Sequence, residues 1–210
     1  FGIRGNVRPA FICGIDLGYD DGEREYIYTG DGWKCALLGP VMTADIWNGE
    51  YYDARITEEQ VLSSDKWEEP AVVQDVPCEL ENPVGPPVRA RREFSLKPVS
   101  STVYRGVFDN GSDFGEIRPV EKKRGDTSEY AHIDASLVYQ VDFAQNMVGR
   151  PKFTVSAPAG TKITVRCGEM LNDSGMKSRK NDGPLGSIYT ANYRSAISQA
   201  VYICGGGTET

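Results

Sequence analysis

Short runs of alternating apolar and polar residues, cut apart by glycine, proline and Asn/Asp turns, constrain this chain more than any other feature of its sequence. Ile163, Val165 and Cys167 alternate with Lys162, Thr164 and Arg166. Tyr139, Val141 and Phe143 alternate with Gln140 and Asp142, and Tyr26 and Tyr28 flank Ile27. A period of two sends every second side chain to one face of an extended backbone, so each run predicts a half-buried strand. Turn chemistry separates the runs at Asp20-Asp21-Gly22, Gly30-Asp31-Gly32, Asn110-Gly111-Ser112, Ala157-Pro158-Ala159-Gly160, Asn172-Asp173-Ser174-Gly175 and Gly205-Gly206-Gly207. The single helical signal is Thr57-Glu58-Glu59-Gln60-Val61-Leu62, a capping box with Thr57 as N-cap and Gln60 at N3, long enough for one or two turns. The expected fold class is all-β: an antiparallel β-sandwich or jelly roll, with an additional partial β-domain at the N-terminus.

Proline divides the chain. Pro70, Pro77, Pro83, Pro86 and Pro87 fall between residues 68 and 87, a density that no central sheet strand accommodates. The expected organisation is therefore residues 1–67 as half of a β-sandwich domain, 68–87 as a Pro-rich linker, and 88–210 as a second β-sandwich. A first piece of that size buries little and leaves strand edges open, which suits packing on a neighbour or assembly by strand pairing.

Charge narrows the partners. The formal net charge of -7 argues against a nucleic-acid groove or an anionic membrane surface, both of which need clustered Lys and Arg. Arg89, Arg91 and Arg92 are expected on a solvated strand face. Glu121-Lys122-Lys123-Arg124, beside Gly125-Asp126, reads as a turn. No run approaches the ~18–20 apolar residues of a membrane span. Residues 1–10 lack the charged and apolar regions of a signal peptide, and with no initiator Met the chain is expected to start inside a longer protein.

The inventory of reactive groups is thin. One histidine, His132, serves neither a Ser nor a Cys hydrolase without further partners, and no G-x-S-x-G elbow exists. The five cysteines (Cys13, Cys35, Cys78, Cys167, Cys204) show no C-x-x-C spacing, and Cys13, Cys167 and Cys204 sit among apolar or β-prone residues, so buried free thiols are expected rather than a zinc site. Gly205-Gly206-Gly207 lacks the lysine of a phosphate loop. No catalytic residue is assigned. The densest polar segment is Asp45-Ile46-Trp47-Asn48-Gly49-Glu50-Tyr51-Tyr52-Asp53-Ala54-Arg55. Its rings, carboxylates and amide are the chemistry that holds sugars, with Trp47, Asn48, Glu50, Tyr52 and Asp53 as candidate carbohydrate contacts. Its oxygens would also suit calcium, the one cofactor considered. The same residues also read, and more simply, as a hairpin turning at Asn48-Gly49, with its aromatics in a core and Arg55 paired to a carboxylate.

That segment resembles the D-x-x-x-G-E-x-Y-D-A-R stretch of the N-terminal domain of bacterial α-L-rhamnosidases. Arg8-Pro9-Ala10-Phe11-Ile12-Cys13-Gly14-Ile15 and Asp31-Gly32-Trp33-Lys34 are similar to strands of the same domain. Val141-Asp142-Phe143-Ala144-Gln145-Asn146-Met147-Val148-Gly149 resembles the D-F-G-Q-N-x-x-G motif of the adjoining concanavalin-like domain. Residues 157–171, 189–196 and 202–209 follow in the family's order. Two departures stand out: Ala144 where the family usually has glycine, and Arg150 where it has an aromatic residue. The resemblance implies a catalytic (α/α)-barrel as partner domain, rhamnose-containing glycans as ligands, and a periplasmic or secreted parent. It also implies that no catalytic residue carries over, because the family's acid and base lie in that barrel. Some relatives use the first domain as a calcium-dependent rhamnose-binding module, for which Asn48, Glu50 and Asp53 are the residues to test.

Overall fold

The computed structural model describes residues 10–73, 81, 84–125 and 136–210. His132 and Cys78 lie outside them. The chain forms two units by internal contact, Phe1–Gly39 with Glu58–Pro87 and Pro40–Thr57 with Val88–Thr210.

In the first unit, β1 (Gly14–Gly18) and β2 (Arg24–Tyr28) make an antiparallel hairpin. Its turn closes with the Gly22 N–H donating to the Tyr19 carbonyl at 3.0 Å, and Gly22 takes a φ of 88° that a side chain would resist. The helix α1 (Glu58–Leu62) forms where the capping box predicts it. Reciprocal backbone bonds of 2.8 and 2.9 Å join Cys35 to Glu68, and the Trp67 indole N–H donates to the Val61 carbonyl at 3.0 Å. Beyond Glu68, the described residues up to Pro87 are irregular.

The second unit carries the larger sheets. β3 (Val41–Asp45), β4 (Gly49–Asp53), β9 (Lys162–Arg166) and β12 (Gln199–Ile203) form a four-stranded sheet in the order β3-β4-β12-β9. Three strands, β5 (Ser100–Tyr104), β6 (Pro119–Arg124) and β7 (Val138–Asp142), pair in the order β6-β5-β7. Two smaller antiparallel pairs join β8 (Val155–Ala157) to β13 (Gly207–Glu209), and β10 (Met170–Leu171) to β11 (Ile188–Tyr189). The pairings are antiparallel throughout except for β4 with β12, which run parallel. The deepest apolar side chains lie on the central strands and just beyond: Val103 and Tyr104 of β5, Val201 and Ile203 of β12, and Cys204. Burying a Val or Ile side chain contributes about 1.5–3 kcal/mol.

Four expectations change. Tyr26 and Tyr28 face outward and stack on each other with centroids 6.4 Å apart; Ile27, paired with Ile15, is the more covered residue of β2. A phenol tolerates that position because its ring is apolar and its hydroxyl wet. Glu121 to Arg124 form strand rather than turn, all exposed on the edge strand β6, with the turn delayed to Gly125. Charged side chains on an edge discourage further pairing. Arg89, Arg91 and Arg92 are exposed but not on a strand; Arg92 opens a short 3-10 turn, and the Arg91 guanidinium lies 4.2 Å from the Phe94 ring centroid. Of the described cysteines, all free, only Cys204 is buried; Cys13 is half-buried, and Cys35 and Cys167 are exposed. Cys167 stands one residue beyond β9, where the alternation no longer has a sheet to follow.

Candidate functional site

The acidic–aromatic motif is the β3–β4 hairpin. Asp45 ends β3, and its Oδ1 accepts the backbone N–H of Trp47 at 2.8 Å and of Asn48 at 2.7 Å. The Asn48 bond, then that of Trp47, holds the Asp45 carboxyl below the usual carboxylate range. Ile46 to Asn48 make a three-residue loop, so the reversal is one residue longer than an Asn48-Gly49 turn. Gly49 opens β4 at φ 85°, and a Cβ there would sit 1.7 Å from the Gln199 carbonyl oxygen. Conformation and space both demand glycine at that position.

Past Gly49 the strand becomes steadily more covered, from exposed Glu50 through half-buried Tyr51 and Tyr52 to buried Asp53. Tyr52 stacks on Tyr202 of β12, its register partner, with centroids 5.6 Å apart and planes 7° from parallel. Phe153 meets Tyr202 edge-on at 6.4 Å. The Tyr202 hydroxyl donates to Glu209 Oε2 at 2.8 Å; burial first, then that carboxylate, pushes the phenol up to about 12. Asp53 is 8% exposed. Its carboxylate accepts from the Arg55 backbone N–H at 3.1 Å, Nε at 2.9 Å and Nη2 at 2.7 Å. The Arg55 side-chain bond leads in keeping Asp53 below the usual carboxylate range, against the upward push of burial.

The five candidate carbohydrate contacts therefore fall into two groups. Trp47, 49% exposed, and exposed Asn48 are in the hairpin loop, and Glu50, also exposed, follows as the second residue of β4. Tyr52 and Asp53 lie in the sheet, engaged with Tyr202 and Arg55. Among the described residues, no three His, Cys, Asp or Glu side chains gather as a metal group. None of the described helices is long and apolar enough to cross a membrane.

Sequence reading missed a second polar centre, in the loop after β10. Asn172 is 2% exposed. Its Nδ2 donates to Ser187 Oγ at 3.0 Å and to the Ile188 carbonyl at 3.2 Å, while its Oδ1 accepts the Asp182 N–H at 3.1 Å. Burial would raise the Asp182 carboxyl, but the Thr190 hydroxyl and N–H, at 2.7 and 2.9 Å, outweigh it and leave it lowered. Asp173 accepts Asn181 Nδ2 at 2.7 Å and pairs with Arg179 at 2.5 Å, which holds it well below the usual range, the Asn181 bond leading. The only hint in the sequence is the Asn-Asp-Ser-Gly turn, which does not reveal partners up to sixteen residues away. The same loop borders a shallow cleft of about 320 Å³ lined by Thr102, Lys122, Gln140 and Leu185 among others. Gln140 Nε2 donates to the Gly186 carbonyl at 3.1 Å; its Oε1 is closed off from solvent and has no partner among the described residues.

Known proteins add the family. The profile of the α-L-rhamnosidase N-terminal domain matches residues 3–92, and that of the bacterial α-L-rhamnosidase concanavalin-like domain matches residues 135–210. An α-L-rhamnosidase of Streptomyces avermitilis is 32% identical over 210 residues, covering 97% of this chain and 16% of the relative. Those of Formosa agariphila and Alteromonas sp. are 26% and 24% identical, each covering 93% of this chain and 17% of the relative. The chain thus spans about one sixth of the length of these relatives. No solved structure matches it. With two family domains matched in order, the chain carries the N-terminal and concanavalin-like domain regions of the bacterial α-L-rhamnosidases.

Proposed function

We propose that this chain is a non-catalytic accessory β region of an α-L-rhamnosidase, bracing an (α/α)-barrel that hydrolyses terminal α-L-rhamnosides with a pair of carboxylates. The observation that carries this reading is the content of the chain: two consecutive family domains, on a sixth of the relatives' length. Supporting it, the buried carboxylate of the motif, Asp53, has both oxygens held by Arg55 and is poorly placed to act as acid or base. Residues 68–87 are proposed as the connector between the 1–67 and 88–210 regions, consistent with their proline content and irregular described backbone. The test is a chromogenic α-L-rhamnoside assay on the purified chain. No turnover above a heat-killed control is expected, and clear turnover overturns the proposal.

A second reading, a carbohydrate-binding module, draws on the exposed Trp47 and Asn48 of the hairpin loop and the exposed Glu50 of β4. It predicts binding heat with rhamnose, with or without calcium, that falls in Trp47→Ala and Asn48→Ala. Absence of heat in both conditions removes this reading and leaves bracing.

A further inference from the structure

We infer that the 40–57 hairpin is the strand donor that completes the concanavalin-like sheet, so that the family motif of the first domain works as a clasp holding the second. In sequence the hairpin lies inside the 3–92 match; in structure it belongs to the unit that contains the 135–210 match. Strand β4 covers the edge of β12 from Ala200 to Ile203. The contact is locked at three levels. At the tip, the Ile197 N–H donates to the Trp47 carbonyl at 2.7 Å, and Gly49 admits the Gln199 carbonyl where no Cβ fits. Midway, Tyr52 stacks on Tyr202. At the far end, the Ala54 N–H donates to the Ile203 carbonyl at 2.9 Å, and the Ala54 carbonyl lies 2.7 Å from the position of a Cβ on Gly205. The Asp53–Arg55 pair fixes the exit of β4 between these contacts. Without the hairpin, β12 becomes an open edge whose N–H and C=O groups have lost their partners.

The test is hydrogen exchange on the full chain, comparing wild type, Gly49→Val and Arg55→Ala. Gly49→Val should speed exchange at residues 199–203 by at least tenfold, and Arg55→Ala severalfold, with residues 14–28 unchanged in both. A synthetic peptide of residues 40–57 added to Gly49→Val should restore protection at 199–203. Should Gly49→Val unfold the whole chain, Arg55→Ala decides. Unchanged exchange at 199–203, or an equal rise at 14–28, overturns the inference.

Discussion

Ala144 occupies a backbone position with φ 51°, and its N–H donates to Asp142 Oδ1 at 2.7 Å. Left-handed backbone costs an L-residue about 1–2 kcal/mol, a cost glycine escapes while losing more entropy on folding. The strain accounts for the glycine usual at this place in the family. Ala144→Gly is expected to stabilise the chain by about 0.5–1 kcal/mol in urea denaturation. Asp53 gives a pH-dependent counterpart. Its folded carboxyl sits below the unfolded value of about 3.9, so its contribution is full above that pH and is lost as pH falls through the folded value. In Arg55→Ala, the drop in stability between pH 5 and pH 2 should be shallower, as read from denaturation midpoints along a pH series. A slope equal to wild type would show that the pair does not carry this acid sensitivity. Asn172 is buried, and both ends of its side-chain amide are bonded. Asn172→Ala strands the Asp182 N–H and the Ile188 carbonyl, and should cost about 2–3 kcal/mol by the same denaturation assay.

Elements were legible in the sequence where local chemistry determines them. The β2, β7 and β9 runs, the Gly22 turn and the α1 capping box each declare themselves within a few residues. Facing was less legible, because alternation names two faces and only the partner decides which is covered; Tyr26 and Ile27 exchange roles for that reason. β6 was hidden by its charge, since an edge strand exposed on every residue carries no apolar alternation. The parallel β4–β12 pairing was hidden altogether, as nothing in either strand names the other. At the motif, the hairpin and the Arg55 pairing could be read from spacing, though the loop is one residue longer than the Asn48-Gly49 turn. The division between the outward Trp47, Asn48 and Glu50 and the engaged Tyr52 and Asp53 needed the register with β12. That division yields a contrast at the level of the element. Trp47→Ala, at the tip, should leave stability within ~0.5 kcal/mol, whereas Tyr52→Ala, which removes a stacked ring from the sheet, should cost about 2–4 kcal/mol.

Among the described residues, covered apolar side chains are few and exposed ones many, with Leu37, Ile46 and Val148 among the latter. Such surface normally finds a neighbour. A net charge of -7 keeps copies apart at neutral pH, and the repulsion vanishes near the isoelectric point of about 4.9. Light scattering should therefore show a monomer-sized species at pH 7 and association at pH 5. A monomer at both would mean that the exposed apolar residues are too dispersed to adhere.

Ala200 pairs with Glu50 across 150 residues of chain. On a ribosome adding ~5–20 residues per second, β4 waits ~8–30 s before β12 exists. Throughout that interval its outer edge has no sheet to join. The hairpin is therefore the oldest part of a sheet that closes only once β12 is made, and chaperone demand during synthesis should centre on residues 40–57 rather than on the strands that follow.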